Sequence, residues 1–176
     1  MDNKETTIDS TYVYKGNVID VKRDNIITSN GEKSIREVIE HPGGVVIVAL
    51  HNNNIATVEQ YRYAIKSLST ELPAGRLEPN EDILSAAKRE LREETGFIAK
   101  QWIDLGYIYT TPGICDEKLY LFLAKDLTFT STDYDRDEVI KIKEYPVQQF
   151  FDMIDEGVIS DSKTICALFR ARKYLK

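Results

Sequence analysis

Residues 75 to 97 read Gly75-Arg76-Leu77-Glu78-Pro79-Asn80-Glu81-Asp82-Ile83-Leu84-Ser85-Ala86-Ala87-Lys88-Arg89-Glu90-Leu91-Arg92-Glu93-Glu94-Thr95-Gly96-Phe97, which is the pattern of one short helix ending at a glycine stop. Asn80 is the expected N-cap, Glu81 and Asp82 suit the positive first turn, and Gly96 sits where a left-handed C-terminal residue belongs. On a helical wheel with Glu90 at zero, Ile83 lies at about 20°, Ala87 at about 60° and Leu91 at about 100°. Glu94, at about 40°, falls inside that apolar stripe; Glu90 sits on its edge and Glu93 flanks it. Glu81, at about 180°, is off this face, so its expected role is support.

Acids on a core-facing stripe are costly, and three of them at spacings of three and four residues repel one another. The ordinary reading of such a run is a solvated acidic face. The angular placement argues against it, and a hard divalent cation that prefers oxygen ligands, Mg²⁺ or Mn²⁺, is the simplest compensation. Glu90 and Glu94, one turn apart, can share or bridge metal ions, while Glu93 points aside toward a further ion or a water. Arg89 and Glu93 form an i,i+4 pair that serves the helix in any case.

The same stretch matches GX5EX7REUXEEXGU, U being aliphatic or aromatic, at Gly75, Glu81, Arg89, Glu90, Leu91, Glu93, Glu94, Gly96 and Phe97. That pattern is the Nudix box, and the chain resembles the Nudix hydrolases, with weaker similarity to their ADP-ribose pyrophosphatase branch over most of its length. The resemblance implies Mg²⁺-dependent hydrolysis of the pyrophosphate bond of ADP-ribose to AMP and ribose 5-phosphate. Alternatives are hydrolysis of another nucleoside diphosphosugar or of a dinucleotide, or a non-catalytic sensor of ADP-ribose or NAD-like ligands. The intact set Glu90, Glu93 and Glu94 argues against the sensor.

By resemblance, Glu90, Glu94 and the backbone carbonyl of Ala74 hold metal, and Arg89 has an orienting role. Gly75 would permit a sharp loop after Ala74. In Thr110-Thr111-Pro112-Gly113-Ile114-Cys115-Asp116-Glu117, Pro112 looks like the proline marker of the ADP-ribose branch, whose loop contacts the terminal ribose. Gly113 and Glu117 are the substrate-contacting positions there. Arg36 and Arg62 match family arginines that touch phosphates or adenosine. The acidic run Asp133-Tyr134-Asp135-Arg136-Asp137-Glu138 resembles the loop that supplies a further metal ligand and the general base. Glu138 aligns best with the ligand; because Arg136 stands where relatives place the base glutamate, the base is Glu138, Asp137 or Asp135. Tyr14, Tyr61 and Tyr63 are candidates to stack adenine.

At 176 residues with 42% hydrophobic content, the chain suits one well-buried domain. A net charge of −6 without a basic stripe makes a nucleic-acid polymer an unexpected partner. No apolar run reaches membrane-spanning length and the N-terminus lacks an apolar h-region, so no membrane partner and a cytoplasmic location are expected. Cys115 and Cys166 lack metal or redox spacing and are read as free thiols. His41 and His51 are too isolated for a histidine metal site.

Strand patterns run over Val18–Ile27, Ser34–Glu40, Gly44–Leu50, Ile55–Tyr61, Trp102–Thr110, Lys118–Ala124 and Val139–Tyr145, with helices over Val147–Glu156 and Ser162–Tyr174. That order is α+β. The resemblance implies an α/β/α sandwich around a mixed sheet, residues 41–176. It also implies an N-terminal antiparallel sheet within residues 1–40 that helps form a homodimer, in which a swapped Arg36 would serve the partner's site.

Overall fold

The computed structural model describes residues 3–131 and 140–175. The chain divides into two compact units, a smaller one of Met1–Gly43 with Tyr109–Lys118, and a larger one of Gly44–Ile108 with Leu119–Lys176.

In the smaller unit, β1 (Thr6–Lys15), β2 (Asp20–Ile27) and β3 (Lys33–Glu40) form an antiparallel meander in that spatial order. All ten positions of β1 are exposed, so it has no buried face to imprint a period of two on its sequence. That is why the residue pattern alone does not mark it. Residues 109–118 lie beside β3 through a parallel bridge from Ile39 to Cys115.

The larger unit contains β4 (Gly44–His51), β5 (Asn54–Arg62), β6 (Ser67–Glu71), β7 (Ala74–Arg76), α1 (Ile83–Thr95), β8 (Phe97–Tyr109), β9 (Lys118–Phe129), β10 (Lys141–Pro146), α2 (Val147–Asp155) and α3 (Ser162–Ala171), which runs into a 3-10 turn at Arg172–Tyr174. The sheet order is β10-β5-β4-β9-β8, with β6 on β5 and β7 on β4. β4 pairs β9 in parallel and β5 antiparallel, so the sheet is mixed.

β4 is a continuous apolar run because both of its faces are covered. Val46 and Val48 pack with Phe150 of α2 and Leu168 of α3, while Val45, Ile47 and Ala49 pack with Ala86, Ala87 and Leu91 of α1. This is the expected α/β/α layering, with α1 on one face and α2 and α3 on the other.

Three local expectations are corrected. Asn80 does not cap α1: it is left-handed at φ 64°, and Asp82 is the N-cap, its carboxylate accepting the Ser85 N–H at 3.0 Å. Glu81 therefore precedes the helix, and its wheel position has no meaning. The strand expected from Trp102 begins at Phe97, because left-handed Gly96 (φ 70°), whose N–H closes on Arg92 O, turns the chain straight out of α1.

Candidate active site

The acids of α1 meet β7. Glu94 is 4% exposed and its carboxylate accepts the Ala74 N–H at 2.9 Å, which accounts for an acid on the apolar stripe. Glu90 lies against the next residue: a Cβ built on Gly75 would fall 2.0 Å from the Glu90 carboxyl carbon. Gly75 is not among the positive-φ glycines, so glycine there serves the close approach of the Glu90 carboxylate, which a Cβ would displace, and not a sharp loop.

Arg89 ties the acids together. Its Nε and Nη2 donate to the two oxygens of Glu81, each at 2.9 Å. Its Nη1 donates to Glu90 at 2.7 Å and to Glu93 at 3.1 Å, and Nη2 also reaches Arg76 O at 3.1 Å. The Arg89 hydrogen bonds hold the Glu81 carboxyl below its usual range, and the Glu81 bonds lead in raising the Arg89 guanidinium. Glu81 thus supports the site from outside the helix, through Arg89 and not through a helix face. Arg92 adds a looser contact to Glu93 at 3.6 Å.

Three carboxylates, Glu81, Glu90 and Glu93, therefore gather about Arg89 and Arg92 with buried Glu94 beside them, so acid outnumbers guanidinium at the site although α1 itself carries as many basic as acidic residues. Among the described residues no three acid, histidine or cysteine side chains are already drawn together as a metal cage. The donor set nonetheless fits a hard cation, because Glu90, Glu93 and Glu94 offer only oxygen and two of them abut consecutive residues of β7. Glu138, Asp137 and Asp135 lie outside the described residues.

Also in the larger unit, Arg62 at the end of β5 pairs side-on with Glu71 of β6, Nε to Oε1 at 2.8 Å and Nη2 to Oε2 at 2.6 Å. Lys163 Nζ reaches the same carboxylate at 2.5 Å. Glu71 is 2% exposed. Burial pushes its carboxyl up, but the Arg62 hydrogen bonds and Lys163 outweigh burial and bring it down to about 2. The Glu71 bonds raise the Arg62 guanidinium, and attraction from Glu94 adds to this, so Arg62 feels the buried carboxylate of α1. Tyr61 and Tyr63 flank Arg62 in sequence and are well exposed. Strand alternation puts Tyr61 on the opposite face of β5 from Arg62.

In the smaller unit, Arg36 is held by Glu5, with Nε donating to Oε2 at 3.0 Å and Nη2 to Oε1, while Nη1 reaches Ser34 and Ile35 O. Glu117 accepts from Thr110 at 2.7 Å and lies 3.5 Å from His41 Nδ1, the nitrogen that also faces the Gly43 N–H at 3.0 Å. Gly113 stands in a turn closed by Ile114 N–H and Cys115 N–H on Thr111 O, with nothing among the described residues within 4 Å of where a Cβ would point. Tyr14, on β1, is exposed.

Glu71 and Lys163 were not among the residues the sequence singles out. Glu71 sits in a short strand with no periodic signal, and Lys163 looks like any lysine in the first turn of an amphipathic helix. Cys115 and Cys166 are both free, and no helix among the described residues is long and apolar enough to cross a membrane.

Comparison with known proteins adds independent findings. A family model described as the NUDIX domain matches residues 40–168, and one described as the nucleoside diphosphate sugar hydrolase N-terminal domain matches residues 5–39. The chain is 38% identical over 168 residues to the methanol dehydrogenase activator of Bacillus methanolicus, covering 94% of this chain and 91% of that one. It is 33% identical over 168 residues to the ADP-ribose pyrophosphatase of Bacillus subtilis (strain 168), with the same two coverages of 94% and 91%. A crystal structure described as an ADP compounds hydrolase aligns at a TM-score of 0.87 and 24% identity, covering 98% of this chain and 94% of that one, a likeness of fold.

Proposed function

The chain belongs to the Nudix family of hydrolases, and on that premise we propose that it cleaves the pyrophosphate bond of ADP-ribose to give AMP and ribose 5-phosphate. The observation that carries the reading is the α1 carboxylate set seated on β7, with Glu94 on Ala74 and Glu90 against Gly75. A relative at 33% identity named an ADP-ribose pyrophosphatase supports the substrate.

Nudix hydrolases work with divalent metal ions, and here we assign Mg²⁺, with Mn²⁺ as a substitute, to Glu90, Glu94, Glu138 and the Ala74 carbonyl. When bound, such an ion neutralises charge on the pyrophosphate oxygens and makes water a better nucleophile. The protein's share is placement. Arg89 holds Glu90 and Glu93 in fixed orientation, and Arg62 takes a phosphate oxygen. Glu138, Asp137 or Asp135 removes the proton from the water that attacks phosphorus as the bridging P–O bond breaks. Arg36, Gly113 and Glu117 are assigned to the substrate's adenosine and ribose ends. If Glu138 is base or ligand, Glu138→Gln cuts kcat far more than it raises KM, and Asp135→Asn does less.

A second reading, another nucleoside diphosphosugar or a dinucleotide, is favoured by the nucleoside diphosphate sugar description matched at residues 5–39. A substrate panel with Mg²⁺, read as phosphate released from the products by a phosphomonoesterase, separates the two. ADP-ribose is expected to show the highest kcat/KM. A competitor more than about tenfold better replaces it, and no turnover of any compound leaves the sensor.

We further assign the exposed apolar residues Ile8, Tyr12, Val13 and Tyr14 of β1 to a homodimer contact. An active monomer by light scattering at micromolar concentration removes that assignment. Two free cysteines suit a reducing compartment, and a cytoplasmic location is the one we assign.

A further inference from the structure

The five residues Glu71 to Gly75 are tied at every position. Glu71 takes Arg62 and Lys163; the Leu72 N–H donates to Thr164 Oγ1 at 2.9 Å. Pro73 O accepts the Ile47 N–H at 2.9 Å, the Ala74 N–H donates to Glu94, and Gly75 receives Glu90. One end of this strap anchors an arginine and the other seats two box carboxylates. The first turn of α3 grips the arginine end. Asp161 caps α3 by accepting the Thr164 N–H at 3.0 Å and also pairs with Lys163 at 3.0 Å.

The chemistry of the Glu71 junction is specific. Side-on pairing consumes the Nε/Nη2 edge of Arg62 and leaves Nη1 without a bond among the described residues. The Arg62 side chain is 41% exposed while that of Glu71 is 3% exposed, so the fork is pinned from inside and open outside. Glu71 alone would cancel the charge of Arg62. Lys163 supplies a second cation to the same carboxylate, and Asp161 is in turn offset by the positive N-terminus of α3. Arg62 thereby keeps positive charge for an outside anion. Buried ion pairs contribute little net stability against apolar replacements but fix geometry when every partner is satisfied.

We propose that Glu71 and Lys163 are positioning residues for substrate binding: together they pin Arg62 and preserve its charge for a phosphate oxygen of the diphosphate. The inference rests on the reading of Arg62 as a phosphate-binding residue and extends it to α3, which no motif connects to the site.

The test is a double-mutant cycle on the Mg²⁺-loaded enzyme, with steady-state kinetics on ADP-ribose, or on whichever diphosphosugar the panel shows to be cleaved. Each variant is assayed well below its melting temperature. Lys163→Met is expected to raise KM about tenfold with kcat changed less than about threefold, and Lys163→Arg to keep KM near wild type. Arg62→Gln raises KM by at least as much. In the Arg62→Gln background, Lys163→Met should then have no further effect on KM, because the residue it acts through is gone. Lys163→Gln, closer to lysine in polarity, serves as the second variant should Lys163→Met melt too low. An unchanged KM in both Lys163 variants overturns the inference, as does a KM increase that multiplies in the Arg62→Gln background. An unchanged KM in Arg62→Gln overturns the phosphate role of Arg62 and the inference with it.

Discussion

Arg89 and Arg62 are both clamped by carboxylates in the larger unit, and the charge around them is arranged in opposite senses. Arg89 is one guanidinium shared by Glu81, Glu90 and Glu93, with buried Glu94 beside them, so acid outnumbers base. At Arg62 a single buried carboxylate is shared by two cations. The first arrangement is short of positive charge and suits a metal; the second keeps positive charge outward and suits a phosphate. A metal-dependent pyrophosphohydrolase needs both within reach of one substrate, and the strap 71–75 links them covalently.

The hardest blow to the acidic side is Glu94→Gln, which removes charge while its amide carbonyl can still accept the Ala74 N–H. The expected result is a kcat at least ~100-fold lower with little change in Tm. Wild-type turnover by the pure variant would sink the metal role of Glu94.

On the cationic side, acidification is the lever. The Glu71 carboxyl lies at about 2 in the folded protein, below its ordinary value of 4.5. A depressed carboxylate stabilises the fold above its unfolded pKa, and that contribution is lost as pH falls from there through the folded value. Wild type should therefore lose stability relative to Glu71→Gln, on the order of 2 kcal/mol, between about pH 4.5 and pH 2. Urea titrations across that window measure it, and parallel pH profiles for the two proteins would mean that Glu71 is not held as an ion.

Gly75→Ala pushes a methyl into the Glu90 carboxylate. It should lower activity about tenfold and raise the Mg²⁺ needed for half-maximal rate, with a stability loss of about 1 kcal/mol. Equal Mg²⁺ dependence would detach Glu90 from the metal.

The smallest effect is expected at Arg89, which is partly solvated. Arg89→Met should cost about 1 kcal/mol without metal, because three acids lose their shared cation, and less in saturating Mg²⁺. Melting curves with and without Mg²⁺ decide it, and an identical loss in both would separate Arg89 from the metal-binding acids.

The helix, its glycine stop and the buried Glu94 were legible because a 3.6-residue period exposes any acid that falls on the apolar stripe. The core strands were legible because β4 and β9 are apolar on both faces. Capping was misplaced by two residues, since Asn80 and Asp82 are both good caps and only the backbone shows that Asn80 turns left-handed. β6 and β7 are too short to show periodicity, so the strap between Arg62 and the box stayed hidden. Pairs such as Glu71 with Lys163 are 92 residues apart and leave no local trace.

Two glycines named by the sequence differ in what they forbid. At Gly75 any side chain begins with the same Cβ, and that atom already collides with Glu90, whereas the space around Gly113 is open. A saturation library selected for folding alone should thus leave codon 113 free to vary, and one selected for hydrolysis should deplete codon 75 and show whether the substrate contact assigned to Gly113 restricts codon 113 as well. Depletion at codon 113 as deep as at codon 75 under selection for hydrolysis would point to contact with a ligand, since among the described residues nothing opposes a side chain there.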